Sequence, residues 1–186
     1  MTDARPPGLQ GPLQIDVLRL AAGGAIGMTH CPGRCTRDAA GRDWQRRLDD
    51  DVLAVRDAGY ATVVTLLADD ELARHGVPGL RARVQAAGLR SLQLPIADYG
   101  VPDSTVLRDW NAALPGLLAQ LQQPGRVLVH CAGGFGRTGM MVATLLRALG
   151  EEAGPAMAQV RAVRPGTIET AEQEAFVRAF APAGRG

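Results

Sequence analysis

Residues 126–149 constrain the fold more than any other stretch of this chain. Arg126, Val127, Leu128, Val129 and His130 form a short, β-branched, apolar run, the pattern of a strand buried on both faces. Three glycines follow within six residues, and then residues 137–149 are apolar nearly all round, which predicts a central, buried helix. A buried strand that turns through glycines into a buried helix belongs in the middle of an α/β layer.

The rest of the chain supplies partners for that unit. Residues 13–20 alternate like a strand, residues 61–67 are short and β-branched, and residues 89–94 make a third strand before the loop at 95–103. With residues 126–130 that predicts four strands. Helices are predicted over 43–58, where Trp44, Leu48, Val52 and Val55 share one face, and over 69–75, 78–87, 104–122, 137–149, 154–163 and 170–180. Pro115 should kink or split the helix at 104–122. Residues 21–41 are glycine-rich and read as irregular. No repeat or linker interrupts the pattern. The expectation is one α/β domain with a central, mostly parallel sheet flanked by helices, over residues 13–182, after a flexible lead-in at 1–12.

Charge and cysteine content narrow the setting. A net charge of +1 gives no global field to hold nucleic acid or an anionic membrane, so neither is expected as a partner. Residues 1–12 contain Arg5, Pro6 and Pro7 and no apolar core of a signal peptide. The longest apolar stretch, 140–149, is interrupted by Thr144 and Arg147 and is too short to cross a bilayer. Three cysteines argue for a reducing compartment and a cytoplasmic protein. Oligomeric state is not readable.

The candidate chemistry lies in the glycine loop, where Cys131 is followed six positions later by Arg137. All 20 basic residues are arginine, so this spacing alone is weak, and His30, Cys31 and Arg37 repeat it. The two copies separate on physical grounds. An anion-binding loop needs successive N–H groups aimed inward, glycines for unusual dihedrals, and a helix N-terminus behind it. The loop Ala132, Gly133, Gly134, Phe135, Gly136 and Arg137 has these features, whereas the Cys31 loop has Pro32 and no strong helix until Asp43. A cysteine at such a helix start is expected as a thiolate near neutral pH, a good nucleophile toward phosphorus. Arg137 offers a planar fork for two phosphoryl oxygens. No metal or cofactor is needed for that chemistry.

At these residues the sequence resembles the cysteine-dependent protein tyrosine and dual-specificity phosphatases. Cys31, Pro32, Gly33, Arg34 and Cys35, then residues 77–80, 95–98 and 168–173, resemble the cyclin-dependent-kinase-associated group over roughly residues 13–180. The resemblance implies a cysteine-phosphatase fold and a phosphocysteine intermediate. It implies Asp98 as general acid, with Asp103 better explained as a helix cap. It gives Thr138 a hydrogen bond to the cysteine sulfur. Gln173 would position the hydrolytic water, or, with Thr170, form a capping box; the two readings are even. His130 is expected to orient the loop by hydrogen bonding. Tyr99 and Phe135 are expected to wall the pocket.

His30, Cys31 and Cys35 invite a zinc site, but three ligands at that spacing fit a turn near the active face better. The loop between Cys131 and Arg137 carries no base, which favours a substrate with one phosphoryl group, a phosphoprotein with phosphotyrosine reacting best. A phosphoinositide or inositol phosphate phosphatase, a redox or sulfur-transfer protein using Cys131, and a catalytically dead phosphopeptide-binding module remain as alternatives.

Overall fold

The structure is a computed structural model, and residues 11–182 are described. The lead-in expected at 1–12 lies almost wholly outside them. Five strands, β1 (Asp16–Arg19), β2 (Ala25–Thr29), β3 (Tyr60–Thr65), β4 (Arg90–Gln93) and β5 (Arg126–His130), form one sheet in the order β1-β2-β5-β3-β4. Only the β1–β2 pair is antiparallel; β5 lies between β2 and β3, parallel to both. Seven helices accompany the sheet: α1 (Leu48–Asp57), α2 (Asp69–Arg74), α3 (Leu80–Ala86), α4 (Ser104–Leu121), α5 (Gly136–Leu149), α6 (Ala153–Val163) and α7 (Ala171–Ala179).

Burial on both faces of β5 explains its unbroken apolar run. Leu128 joins Val52, Val55 and Val63 on the side of α1, while strand alternation sends Val127 and Val129 to the other side, where α4 and α5 pack. All three valine and leucine side chains of β5 are fully buried. Twelve of the fourteen residues of α5 are buried as well, because α4, α6 and α7 surround it. Transfer of a side chain of this size from water contributes roughly 1.5–3 kcal/mol, so this strand and helix anchor the domain.

Two local expectations need correction, and a third is narrowed. Residues 25–29 form β2 inside the sheet, although the glycine-rich run 21–41 that contains them suggests an irregular segment. Gly27 is there because the Tyr60 ring lies where a side chain would be, so the strand is held by its neighbours and not by its own propensity. The first helix starts at Leu48, not near 43. Trp44 stands before it, its indole N–H donating to Asp38 at 2.9 Å and its ring tilted on His30 at 4.9 Å. Helix α4 runs through Pro115 without being split.

Candidate active site

The C-terminal end of β5 delivers His130 and Cys131 to the loop that opens α5. Gly134 has φ +78°, and a Cβ there would collide with the Thr29 carbonyl, so conformation and space both demand glycine. The loop carbonyls are pinned outward. Ala132 O accepts from the Cys31 N–H at 3.1 Å, Gly133 O from Arg164 Nη2 at 3.0 Å, and Gly134 O from Arg164 Nε at 2.7 Å. Because the C=O and the following N–H of a trans peptide point in opposite directions, these contacts turn the N–H groups of Gly133, Gly134 and Phe135 inward. The Gly134 N–H accordingly donates to Cys131 Sγ at 3.2 Å. Arg164 is itself fixed by Asp16 at 2.6 Å and lies 4.4 Å over the Phe135 ring.

Arg137 is almost wholly buried, with its side chain 1% exposed. Nη1 donates to Glu71 Oε1 at 2.8 Å and to the Ile96 carbonyl at 2.9 Å, and Nη2 lies 2.8 Å from Asp98 Oδ1. Burial works against the charge, but Cys131, Glu71 and Asp98 outweigh it and push the Arg137 pKa up. Glu71 sits in the first turn of α2, where its other oxygen also accepts from the Ala68 N–H at 3.2 Å.

The two carboxylates of the 95–103 loop have different surroundings. Asp98 is 64% exposed and faces Arg137, whereas Asp103 caps α4, accepting from the Val106 N–H at 2.8 Å. Tyr99, between them in sequence, has φ +58° and is exposed. His130 is fully buried. Its Nδ1 is 3.2 Å from the Cys131 carbonyl, which can only accept, so Nδ1 carries the proton and Nε2 accepts from the Thr65 hydroxyl at 2.8 Å. Burial, only partly offset by that carbonyl, lowers its pKa to about 4 and keeps the ring neutral.

Two expectations fare differently. The Thr138 hydroxyl is buried without a hydrogen-bond partner, so the expected bond to sulfur is not made in this structure. Thr170 caps α7 by accepting from the Gln173 N–H at 3.1 Å, which is half of a capping box. The reciprocal half is displaced by one residue: Gln173 Oε1 accepts from the Glu169 N–H at 2.9 Å, and its amide nitrogen reaches the Gly100 carbonyl at 3.3 Å. Gln173 is fully buried and ties the 95–103 loop to α7 beside Gly136.

Sequence reasoning missed Glu71, Arg164 and Glu169. Glu169 Oε2 accepts from the Gly136 N–H at 2.7 Å, so a carboxylate holds one amide expected to face phosphate. The His30–Cys35 turn behaves as a brace. Burial pushes the Cys31 thiol well up, out of the reactive range, and Cys35 donates to the Gly76 carbonyl at 3.5 Å. Among the described residues no group of three metal-ligating side chains is assembled, and no helix is long and apolar enough to cross a membrane.

A family model described as Swiss Army Knife protein, DSP-PTPase phosphatase domain, matches residues 39–177. The chain belongs to that family. It is a hydrolase of the dual-specificity and tyrosine phosphatase class. The cyclin-dependent kinase inhibitor 3 of Rattus norvegicus is 29% identical over 177 residues, covering 92% of this chain and 80% of its own. Protein tyrosine phosphatase domain-containing protein 1 of Mus musculus is 38% identical over 95 residues, 50% of this chain and 12% of that protein. Among solved structures, a kinase associated phosphatase with serine in place of its catalytic-site cysteine superposes with a TM-score of 0.79 at 26% identity, covering 90% of this chain and 93% of that one. The fold is shared too by TpbA of P. aeruginosa, solved with pTyr, at a TM-score of 0.56 and 21% identity over 94% of this chain and 91% of that one.

Proposed function

We propose that residues 13–182 form a metal-independent phosphoprotein phosphatase domain that works in the cytoplasm through a phosphocysteine at Cys131. The observation that carries this is the loop itself: outward-pinned carbonyls, inward amides, and Arg137 held at its rim by Glu71 and Asp98. The Cys131 thiolate attacks phosphorus, the bond to the leaving oxygen breaks, and Asp98 gives that oxygen its proton. The amides of Ala132, Gly133, Gly134, Phe135 and Arg137, with the guanidinium, carry the charge on the equatorial oxygens, and the Gly136 amide joins them once phosphate displaces the Glu169 carboxylate that it holds here. Water then attacks the phosphocysteine, Asp98 takes its proton, and the P–S bond breaks with sulfur leaving as thiolate.

The unpartnered Thr138 hydroxyl, on the first turn of α5, is the donor for that departing sulfur; a buried hydroxyl without a partner is costly unless one arrives. His130 and Gln173 act by position, one fixing the Cys131 carbonyl and the other tying the Asp98 loop to α7. Phosphotyrosine reacts best because a phenolate leaves more easily than an alkoxide. Turnover of phosphotyrosine, phosphoserine and phosphothreonine peptides in EDTA tests this reading. Cys131→Ser should abolish it. Activity that survives Cys131→Ser, or requires added metal, would overturn the mechanism.

A further inference from the structure

Beside the catalytic loop lies a cavity of about 330 Å³, walled in part by Gly133 and Phe135 of the loop itself. Its other walls include Arg34, His30, Trp44 and Arg42, which the phosphatase chemistry does not use, with Arg164 and its ion-pair partner Asp16 at the border. The space equals that of roughly ten water molecules in the liquid, enough for an anionic side-chain group.

The polar groups here are not all satisfied. Arg164 is spent on Gly133, Gly134 and Asp16, and Arg42 Nε on Asp38 at 2.7 Å. Arg34 differs. The residue is 8% exposed, its guanidinium lies 4.7 Å over the Trp44 ring, and its Nε is buried with no hydrogen-bond partner. His30, 5% exposed, likewise has a buried Nε2 without a partner. Burial, helped by Arg46, Arg164, His130 and Arg34, holds its pKa to about 3, so the ring is neutral and can present one N–H. The turn is built to stay in place. The Gly33 N–H donates to Asp51 at 2.7 Å, and Asp51 is locked to buried Arg46 at 2.6 Å. A rigid, desolvated guanidinium with an unsatisfied donor is matched by a carboxylate or phosphate oxygen.

We propose that the Arg34–His30–Trp44 cavity is a second anion subsite, which takes an acidic or phosphorylated side chain of the same peptide whose phosphotyrosine enters the Cys131 loop. The inference rests on the phosphoprotein reading above. The catalytic loop carries no base between Cys131 and Arg137, so charge selection falls to a different segment of the chain. A peptide provides it naturally: successive side chains along an extended backbone are a few ångströms apart, and Gly133 and Phe135 of the catalytic loop form part of this cavity's wall.

The test is kcat/KM on matched phosphotyrosine peptides in which each flanking position in turn carries glutamine, glutamate or phosphoserine. The glutamate and phosphoserine arms distinguish a carboxylate from a phosphate as the preferred group. At one flanking position, one or both should exceed glutamine by about tenfold or more, the worth of one charge-assisted hydrogen-bonded contact. In Arg34→Gln the ratio of anionic to neutral peptide should fall to near one. If that variant unfolds, as circular dichroism would show, Arg42→Gln on the cavity rim should lower the same ratio part-way. Equal rates for all three peptides at every position would overturn the subsite, as would a preference that survives both substitutions. Failure of the phosphoprotein reading looks different: Cys131-dependent hydrolysis of aryl phosphates would persist with no peptide turned over at all.

Discussion

Glu71 holds the charge on which the active loop depends, and Glu71→Gln isolates its contribution. The substitution keeps the shape and a hydrogen-bond acceptor but removes the anion 2.8 Å from Arg137 Nη1. At that distance the pairwise attraction is of order 6 kcal/mol with an effective dielectric constant near 20. Breaking a buried pair costs about 3–5 kcal/mol once solvation is counted. Here Glu71 is 14% exposed, and Arg137 keeps Asp98 and the Ile96 carbonyl. The loss should therefore fall at or just below the low end, about 2–3 kcal/mol, read by urea unfolding. The sign of the ligand effect is opposite. An oxyanion restores the missing counter-charge, so inorganic phosphate should bind Glu71→Gln more tightly and stabilise it more than wild type, by about 1.4 kcal/mol for each tenfold gain in affinity. Turnover should still fall, because one amide oxygen in place of two carboxylate oxygens holds the guanidinium less firmly. Equal unfolding midpoints for the two proteins, or equal stabilisation by phosphate, would refute this account of Arg137.

Asp98→Asn should lower kcat about 10²–10⁴-fold, most for leaving groups of high pKa, and leave stability nearly unchanged because Asp98 itself is exposed and the buried Arg137 keeps Glu71. Asp103→Asn should keep the wild-type leaving-group dependence, since asparagine caps α4 equally well; a steep new dependence there would reverse the two assignments. Glu169→Gln should lower the inhibition constant for inorganic phosphate by about tenfold, by removing a like charge from the Gly136 amide; an unchanged constant would mean that the carboxylate leaves before phosphate arrives. His130 has a folded pKa of about 4 against an ordinary 6.5, so its neutral form contributes stability in full above pH 6.5. That contribution, about 3 kcal/mol for a shift of this size, should drain away as the pH falls from 6.5 to about 4. Urea unfolding across this window should show a shallower loss in His130→Asn, and parallel losses would contradict the assignment.

The core of the fold was legible because its signals are local. The apolar run of β5, the loop glycines and the all-round apolar α5 are contiguous, and Cys131 and Arg137 come with them. In the 95–103 loop the local signal is the Asp103 cap, which the structure forms, whereas Asp98 is singled out by the family resemblance and not by local pattern. Strand β2 was hidden because Gly27 is placed by the Tyr60 ring, a tertiary demand that strand propensity does not encode. Trp44 kept helical spacing yet stands outside the helix, because the cavity beside His30 and Arg34 claims it. Glu71, Arg164 and Glu169 act across gaps of 66, 30 and 33 residues. An acid in a first helical turn and an arginine among twenty look ordinary in sequence, and only the fold brings them to the loop.

The central claim is that phosphate passes through Cys131 and through no other thiol. Rapid acid quenching during turnover of an aryl phosphate, followed by peptide mass spectrometry, tests it directly. The peptide containing Cys131 should carry one phosphoryl group, and the label should build up in Asp98→Asn if Asp98 also activates the hydrolytic water. The peptides containing Cys31 and Cys35 should stay unmodified, with Cys31 inert because burial pushes its thiol up. A phosphoryl group on Cys31, or turnover with none on Cys131, would contradict the account.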